Sequence, residues 1–157
     1  MQKKYKINQV SPSKGALDFS YLLDAPAGKH GFVQARDGHL YYEDGTRARF
    51  LGFNMATRSN AVNHELAEKL AERFASLGVN VIRLHAADAP IGEQERSWSS
   101  CKEAPLLDYE KGTSRIFHPE GLDRFDYFVA KLKEKGIYIH IDLIVAREFL
   151  LEDELDY

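Results

Sequence analysis

The stretch RFASLGVNVIRLHAADAP, Arg73 to Pro90, decides how this chain is read. Its first part completes a helical pattern in which Leu66, Leu70, Phe74 and Leu77 share one face, and Gly78 closes that pattern. Val79 to Leu84 then reads as a strand. Successive strand side chains point to opposite faces, so Val79, Val81, Arg83 and His85 share one face and Ile82 and Leu84 the other. An arginine and a histidine closing an apolar strand call for a reason, because a guanidinium cannot shed its charge to escape the cost of desolvation.

The same grammar repeats on both sides. Asn63 is placed to cap the first helix. A second helix begins at Pro119, a favoured first-turn position, carries Leu122, Phe125, Val129 and Leu132 on one face, and stops at Gly136. The strand IYIHIDLIV, 137 to 145, follows directly and sorts sharply, with Ile137, Ile139, Ile141 and Leu143 opposite Tyr138, His140 and Asp142. Upstream, Ala48 to Asn54 reads as the first strand of the main sheet, with Leu51 and Phe53 opposite Gly52 and Asn54. Before it, GFVQARDGHLYYEDGTRARFLGFN, 31 to 54, holds two Asp-Gly turns between β-prone runs, which predicts a small antiparallel meander. Residues 1–30 read as an irregular, extended arm with Pro12 and Pro26, and residues 31–157 as one α/β unit.

Strand, helix, strand, helix, strand, with each helix closing at a glycine just before the next strand, predicts right-handed βαβ units and a parallel sheet. The turn after the first strand, NMATRSN, lacks the glycine pattern of a dinucleotide-binding fold, which leaves the (β/α)8 TIM barrel as the expected architecture, with the first three βα units present. In such a barrel the all-aliphatic strand faces meet the helices and the polar faces point inward. Asn54, Arg83, His85, His140 and Asp142 are then expected on one inner surface, with His140 and Asp142 shielded and Arg83 and His85 at the carboxyl end of their strand, where barrels carry their active sites. Two readings of Arg83 stand at this point, pairing with a structural carboxylate such as Asp142 or service to an anionic group of a site. His85 and His140 read equally as satisfied core histidines or as ligand contacts.

Composition narrows the class of partner. The formal net charge of −3 and the scatter of both signs give no basic stripe for nucleic acid, and no apolar run is long enough to span a bilayer. Cys101 is the only cysteine, so an internal disulfide and a thiolate metal cluster are excluded. The amino terminus MQKKYKINQV carries positive charge without an apolar stretch behind it, so no signal peptide is read and the compartment stays open. The acidic tail LEDELDY, 151 to 157, is expected to fray, with Glu148, Glu152 and Glu154 as solvated surface charge.

DGTRARFLGFN, LAERFASLGVNVIRLH and HPEGLDRFDYFVAKLKEKGIYIHIDL together resemble the opening of the cellulase-like glycoside hydrolases, the retaining clan that includes glycoside hydrolase family 5. The resemblance covers about Gly31 to Val145. It implies hydrolysis of β-linked glycans by double displacement, and it places Arg83 on the family arginine that supports the nucleophilic carboxylate. On the same footing Trp98 and Tyr109, in the long loop from Ala86 to Phe117, are candidates to stack on sugar rings or to cover the barrel rim, and Asp88 to accept from sugar hydroxyls. Two positions depart from the family. Ile144 stands where a histidine is common, and the acid/base glutamate and the nucleophile belong to strands four and seven, which this sequence would reach only beyond Tyr157. A barrel takes about 250 residues, so the expectation is an amino-terminal portion of a longer enzyme, inactive alone, with no catalytic carboxylate of its own.

No cofactor and no metal are expected. The expected partners are an oligo- or polysaccharide and either the remaining part of the barrel or a second copy of the chain. Two other functions compete. His140-x-Asp142 and His85-x-x-Asp88 allow a metal-dependent barrel hydrolase, and a mature chain of this length allows a non-catalytic carbohydrate-binding or interaction fragment.

Overall fold

A computed structural model describes residues 11–89 and 104–155, apart from the side chains of residues 57 and 58. The element order begins with a hairpin of β1 (Val33–Arg36) and β2 (His39–Tyr42), followed by β3 (Gly52–Ala56), α1 (His64–Ser76), β4 (Val81–His85), α2 (Pro119–Glu134) and β5 (Tyr138–Ile141). β1 and β2 pair antiparallel across the Asp37-Gly38 turn, and a single bridge, Tyr41 to Arg47, continues the meander. β3, β4 and β5 form a parallel sheet in that order, so β3 and β5 are its two edges among the described residues.

Each helix starts and stops for a visible reason. The Asn63 side chain accepts the Leu66 N–H at 2.9 Å, and His118 Nδ1 accepts the Gly121 N–H at 3.2 Å, so each cap satisfies one of the amides that a first turn leaves without a partner. Gly78 and Gly136 end α1 and α2 with φ of 74° and 81°, a left-handed conformation that a side chain would strain. From there the chain enters β4 and β5.

Register turns strand parity into rows. Asn54 pairs with Arg83 and Arg83 with His140, while Phe53, Ile82 and Ile139 make the adjoining row on the other face. Ile82 and Leu84 are fully buried against Phe128 and Leu132 of α2 and the Ala67–Ala71–Ala75 stripe of α1. Ile82, Leu84 and Ile137, with Ile139 partly buried beside them, therefore lie under the helices as parity predicts, whereas Leu51, Phe53, Ile141 and Leu143, expected on the same covered face, are exposed at the edges and carboxyl end of the sheet, which the two helices do not fully cover. The buried residues of α1 are Ala67, Ala71, Ala75 and Ser76 and not the expected leucines: Leu66, Leu70, Phe74 and Leu77 flank the alanines, half-buried, because a stripe of methyl groups lets the helix approach the sheet closely.

The boundaries differ from expectation at the first strand and at the last, which runs from Tyr138 to Ile141 and not from 137 to 145. Ala48 belongs to the meander, where its N–H bonds the Leu40 carbonyl at 2.9 Å, and β3 runs from Gly52 to Ala56. The described part of the arm does not extend freely either. It forms short 3-10 turns at Gly15–Leu17 and Ser20–Leu22 and docks on the carboxyl ends of both helices, through Phe19 N–H to the Ser76 carbonyl (3.0 Å) and Ala27 N–H to the Lys133 carbonyl (2.9 Å). The meander in turn covers the amino-terminal end of the sheet. Tyr138 stacks on Tyr42 with ring centroids 5.5 Å apart and meets Phe50 edge-on at 5.6 Å.

Candidate functional site

The face of the sheet opposite the helices carries a cluster at the carboxyl ends of β4 and β5. Arg83 grips Asp142 with both limbs of its fork, Nε to Oδ1 at 3.1 Å and Nη2 to Oδ2 at 2.7 Å. His85 Nδ1 lies 2.6 Å from the same Oδ2. The Asp142 side chain is 11% exposed, against 44% for Arg83 and 31% for His85. The hydrogen bonds from His85 and Arg83 hold the Asp142 carboxyl below its ordinary range, against the upward push of burial. An ionised carboxylate only accepts, so the proton of the shared bond sits on His85 Nδ1, and Nε2 faces away from Asp142. The cluster is thus a fixed anion with an oriented imidazole beside it. Part of the guanidinium is still exposed on the open face.

Local structure holds these groups in place. Arg83 and His85 lie two apart on one strand and reach the same side, and Asp142 follows directly after Ile141 on the neighbouring strand, with its own N–H bonded to the Leu84 carbonyl at 3.3 Å. Asn60, buried to 1% exposure, fixes the end of β4 through Nδ2 to the His85 carbonyl at 2.9 Å, and Ala86 turns the chain away with φ of 51°. Asn60 went unnoticed in the sequence, where one asparagine in a polar turn carries no signal.

The other expected site residues fall differently. Asn54 is exposed and sits beside Arg83 in register. His140 is not shielded: its side chain is 67% exposed and its Nε2 stands 3.9 Å from Asp142 Oδ1, because no opposing wall covers the middle of the face among the described residues. Asp88 is a clamp between loops. Its Oδ2 accepts the Val145 N–H at 3.0 Å and its Oδ1 the Ala146 N–H at 3.2 Å, while its own carbonyl accepts the Tyr109 hydroxyl at 2.7 Å. Asp88 therefore does not converge with His85, Asp142 and His140, and no group of three metal-ligating side chains is placed to hold an ion among the described residues. Trp98 lies outside the described residues.

The tail contradicts the expectation of fraying. Glu148, Glu152 and Glu154 are exposed, as predicted, but Asp153 between them is buried to 1% exposure. It accepts the Thr113 hydroxyl at 2.6 Å, the Ser114 hydroxyl at 2.7 Å and N–H at 2.8 Å, and the Leu150 N–H at 2.7 Å. Burial alone would raise its carboxyl, but the bonds from Thr113, Leu150 and Ser114 win and hold it well below the ordinary carboxylate range. Arg147 adds Nε to Ser114 Oγ at 2.8 Å and Nη2 to the Ser114 carbonyl at 2.9 Å. The loops following β4 and β5 are thereby tied together on the side of the sheet where Asp142 stands.

The sequence matches no family model and no curated protein. In three dimensions it is similar to solved structures described as a glycoside hydrolase, at 19% identity and a TM-score of 0.51, and as a glycoside hydrolase family 5 protein from Bacteroides vulgatus, at 15% identity and a TM-score of 0.51. Each likeness covers 76% of this chain, which spans only 26% and 25% of those chains. At such identities the likeness is one of fold, a mixed α/β unit with a parallel three-stranded sheet.

Proposed function

We propose that this chain forms the first three βα units of a (β/α)8 barrel in a retaining β-glycosidase, and that the Arg83–Asp142–His85 cluster belongs to its substrate side. The observation that carries the reading is the placement of a charged, hydrogen-bonded cluster at the carboxyl ends of adjacent parallel strands, on the face the helices do not cover. The fold likeness and the sequence motifs point the same way. The edges that β3 and β5 leave unpaired among the described residues support it too, because barrel closure is the way a parallel sheet with an uncovered polar face removes its edges.

In this reading the two carboxyl groups that retaining chemistry needs about 5 Å apart are supplied by later strands, and this chain supplies binding and support. Asp142 is held as an anion and takes one side of the Arg83 fork, leaving the exposed nitrogens to a carboxylate nucleophile from the closing strands. As that nucleophile attacks the sugar, its charge moves into the new bond and the field of Arg83 keeps it ionised and oriented beforehand. Asn54 and His140, exposed in the same row, are placed to bond sugar hydroxyls.

The reading is tested by Arg83→Ala in the whole protein. Turnover of an aryl β-glycoside should fall by orders of magnitude with a much smaller change in KM, and Arg83→Lys should not restore it, since a lysine cannot reproduce the two-point grip. Unchanged turnover would refute the assignment.

A further inference from the structure

The opposite, amino-terminal end of the sheet carries a second ionic cluster, independent of the glycosidase reading. His30 stands between two carboxylates: Nδ1 is 2.6 Å from Asp44 Oδ2, and Nε2 bonds Asp24 Oδ2. A neutral imidazole has one N–H and one lone pair, whereas an ionised carboxylate has nothing to donate. Both contacts are hydrogen bonds together only when His30 is an imidazolium. With one proton fewer, a nitrogen lone pair would face a carboxylate oxygen at hydrogen-bond distance.

The neighbours of His30 keep those carboxylates ionised. Asp24 also pairs with Lys29, whose Nζ bonds the Ala25 carbonyl at 3.2 Å, and Asp44 Oδ1 accepts the Thr46 N–H at 2.8 Å. The His30 ring lies 5.6 Å from the Tyr42 ring, and Glu43 packs against Gly31. Burial pushes the Tyr42 hydroxyl up to about 12, so it does not titrate alongside His30. The bonds to Asp24 and then Asp44 raise His30 above its ordinary value, and the same contacts, after Lys29 and the Thr46 amide, help to lower the two aspartates.

We propose that His30 is a proton-operated clamp: charged, it fastens the β2–β3 turn at Asp44 to the arm at Asp24, and on losing its proton it lets one of the two go. The clamp joins parts of the chain that share few other bonds. Asp44 belongs to the turn whose Tyr42 stacks on Tyr138 of β5, while Asp24 belongs to the arm that reaches the end of α2 through Ala27. Gly31, next to His30 in the chain, lines a trough with Ala27, Phe32, Val33, Val129, Lys133 and Ile139, so the clamp stands at its border. Release therefore loosens the meander and the trough and leaves the core of β4 and α1 untouched.

The sign follows from linkage. A group whose folded value is raised stabilises fully below its unfolded value, about 6.5 for histidine, and loses that contribution as pH rises through the folded value. The test is made on the whole protein by two measurements. Nitrogen-detected NMR should show both His30 ring nitrogens protonated near pH 6.5 and a titration midpoint above that pH. Hydrogen exchange, corrected for intrinsic rates, should show protection at the Tyr42 and Ala48 amides falling between the unfolded value of about 6.5 and the His30 midpoint, by a total factor equal to the ratio of the unfolded and folded acid constants, while α1 amides stay constant. Asp44→Asn should lower the midpoint toward the ordinary value, and His30→Gln should abolish the pH dependence. A His30 midpoint at or below about 6.5, or meander protection that stays flat through the titration, would overturn the proposal.

Discussion

Arg83 bonds both carboxylate oxygens of Asp142 across the parallel pair β4–β5, at 3.1 and 2.7 Å. The two-point grip gives one geometry to a pair that would otherwise sample many, and it fixes the oxygen that His85 also uses. Of the two readings open in the sequence, pairing with Asp142 is what the structure contains. Nη1 takes no part in that grip.

Asp142→Asn should free both Arg83 and His85. The Asp142 carboxyl is lowered in the folded protein, by His85 first and Arg83 second, so its contribution to stability is present above the unfolded value of about 3.9 and disappears as pH falls through the folded value. Thermal unfolding followed from pH 6 down to pH 2 should therefore show an acid-dependent loss in the wild type that is reduced in Asp142→Asn. Superimposable acid profiles would show that the pair contributes nothing.

The buried Asp153 predicts a second, separable acid response. Asp153→Ala strands the hydroxyl and N–H of Ser114, the Thr113 hydroxyl and the Leu150 N–H at once. Hydrogen exchange at Ser114 should become fast in the variant while β4 amides keep their protection. In the wild type the same amide should lose protection only as pH falls far enough to protonate a carboxyl held below the ordinary range.

Core and cap predictions fix the scale of the fold. Phe128 is fully buried between α2 and the sheet, so Phe128→Ala should cost about 3–5 kcal/mol in chemical denaturation through lost burial and the cavity left behind. Asn63→Ala removes the acceptor of the Leu66 N–H and should cost about 1 kcal/mol. A Phe128→Ala cost no larger than that of Asn63→Ala would place the core elsewhere.

The parts legible in the sequence were those set by local period. The alternation in VIRLH and YIHI sorted Arg83 and His140 from Ile82, Leu84 and Ile139, and glycines at helix ends marked where each strand begins. The parts that were not legible depend on residues brought together from far apart in the chain. Asp153 looks like one acid among several until Thr113 and Ser114 meet it, and His30 is an ordinary loop histidine until Asp24 and Asp44 close on it. His140 has the parity of an inner residue and is still open to solvent, because parity assigns a face and not what covers it.

The central claim is that the uncovered face of β3–β4–β5 lines the inside of a retaining glycosidase barrel. Its most direct test is to incubate the whole protein with an activated 2-deoxy-2-fluoro-β-glycoside, which forms a glycosyl-enzyme and hydrolyses slowly because fluorine disfavours the oxocarbenium-like transition state. The account predicts one glycosyl unit added to the intact mass, mapped to a carboxylate outside residues 1–157, and much slower labelling in Arg83→Ala. A protein that takes up no label and hydrolyses no aryl glycoside, or one labelled on Asp142, would contradict it.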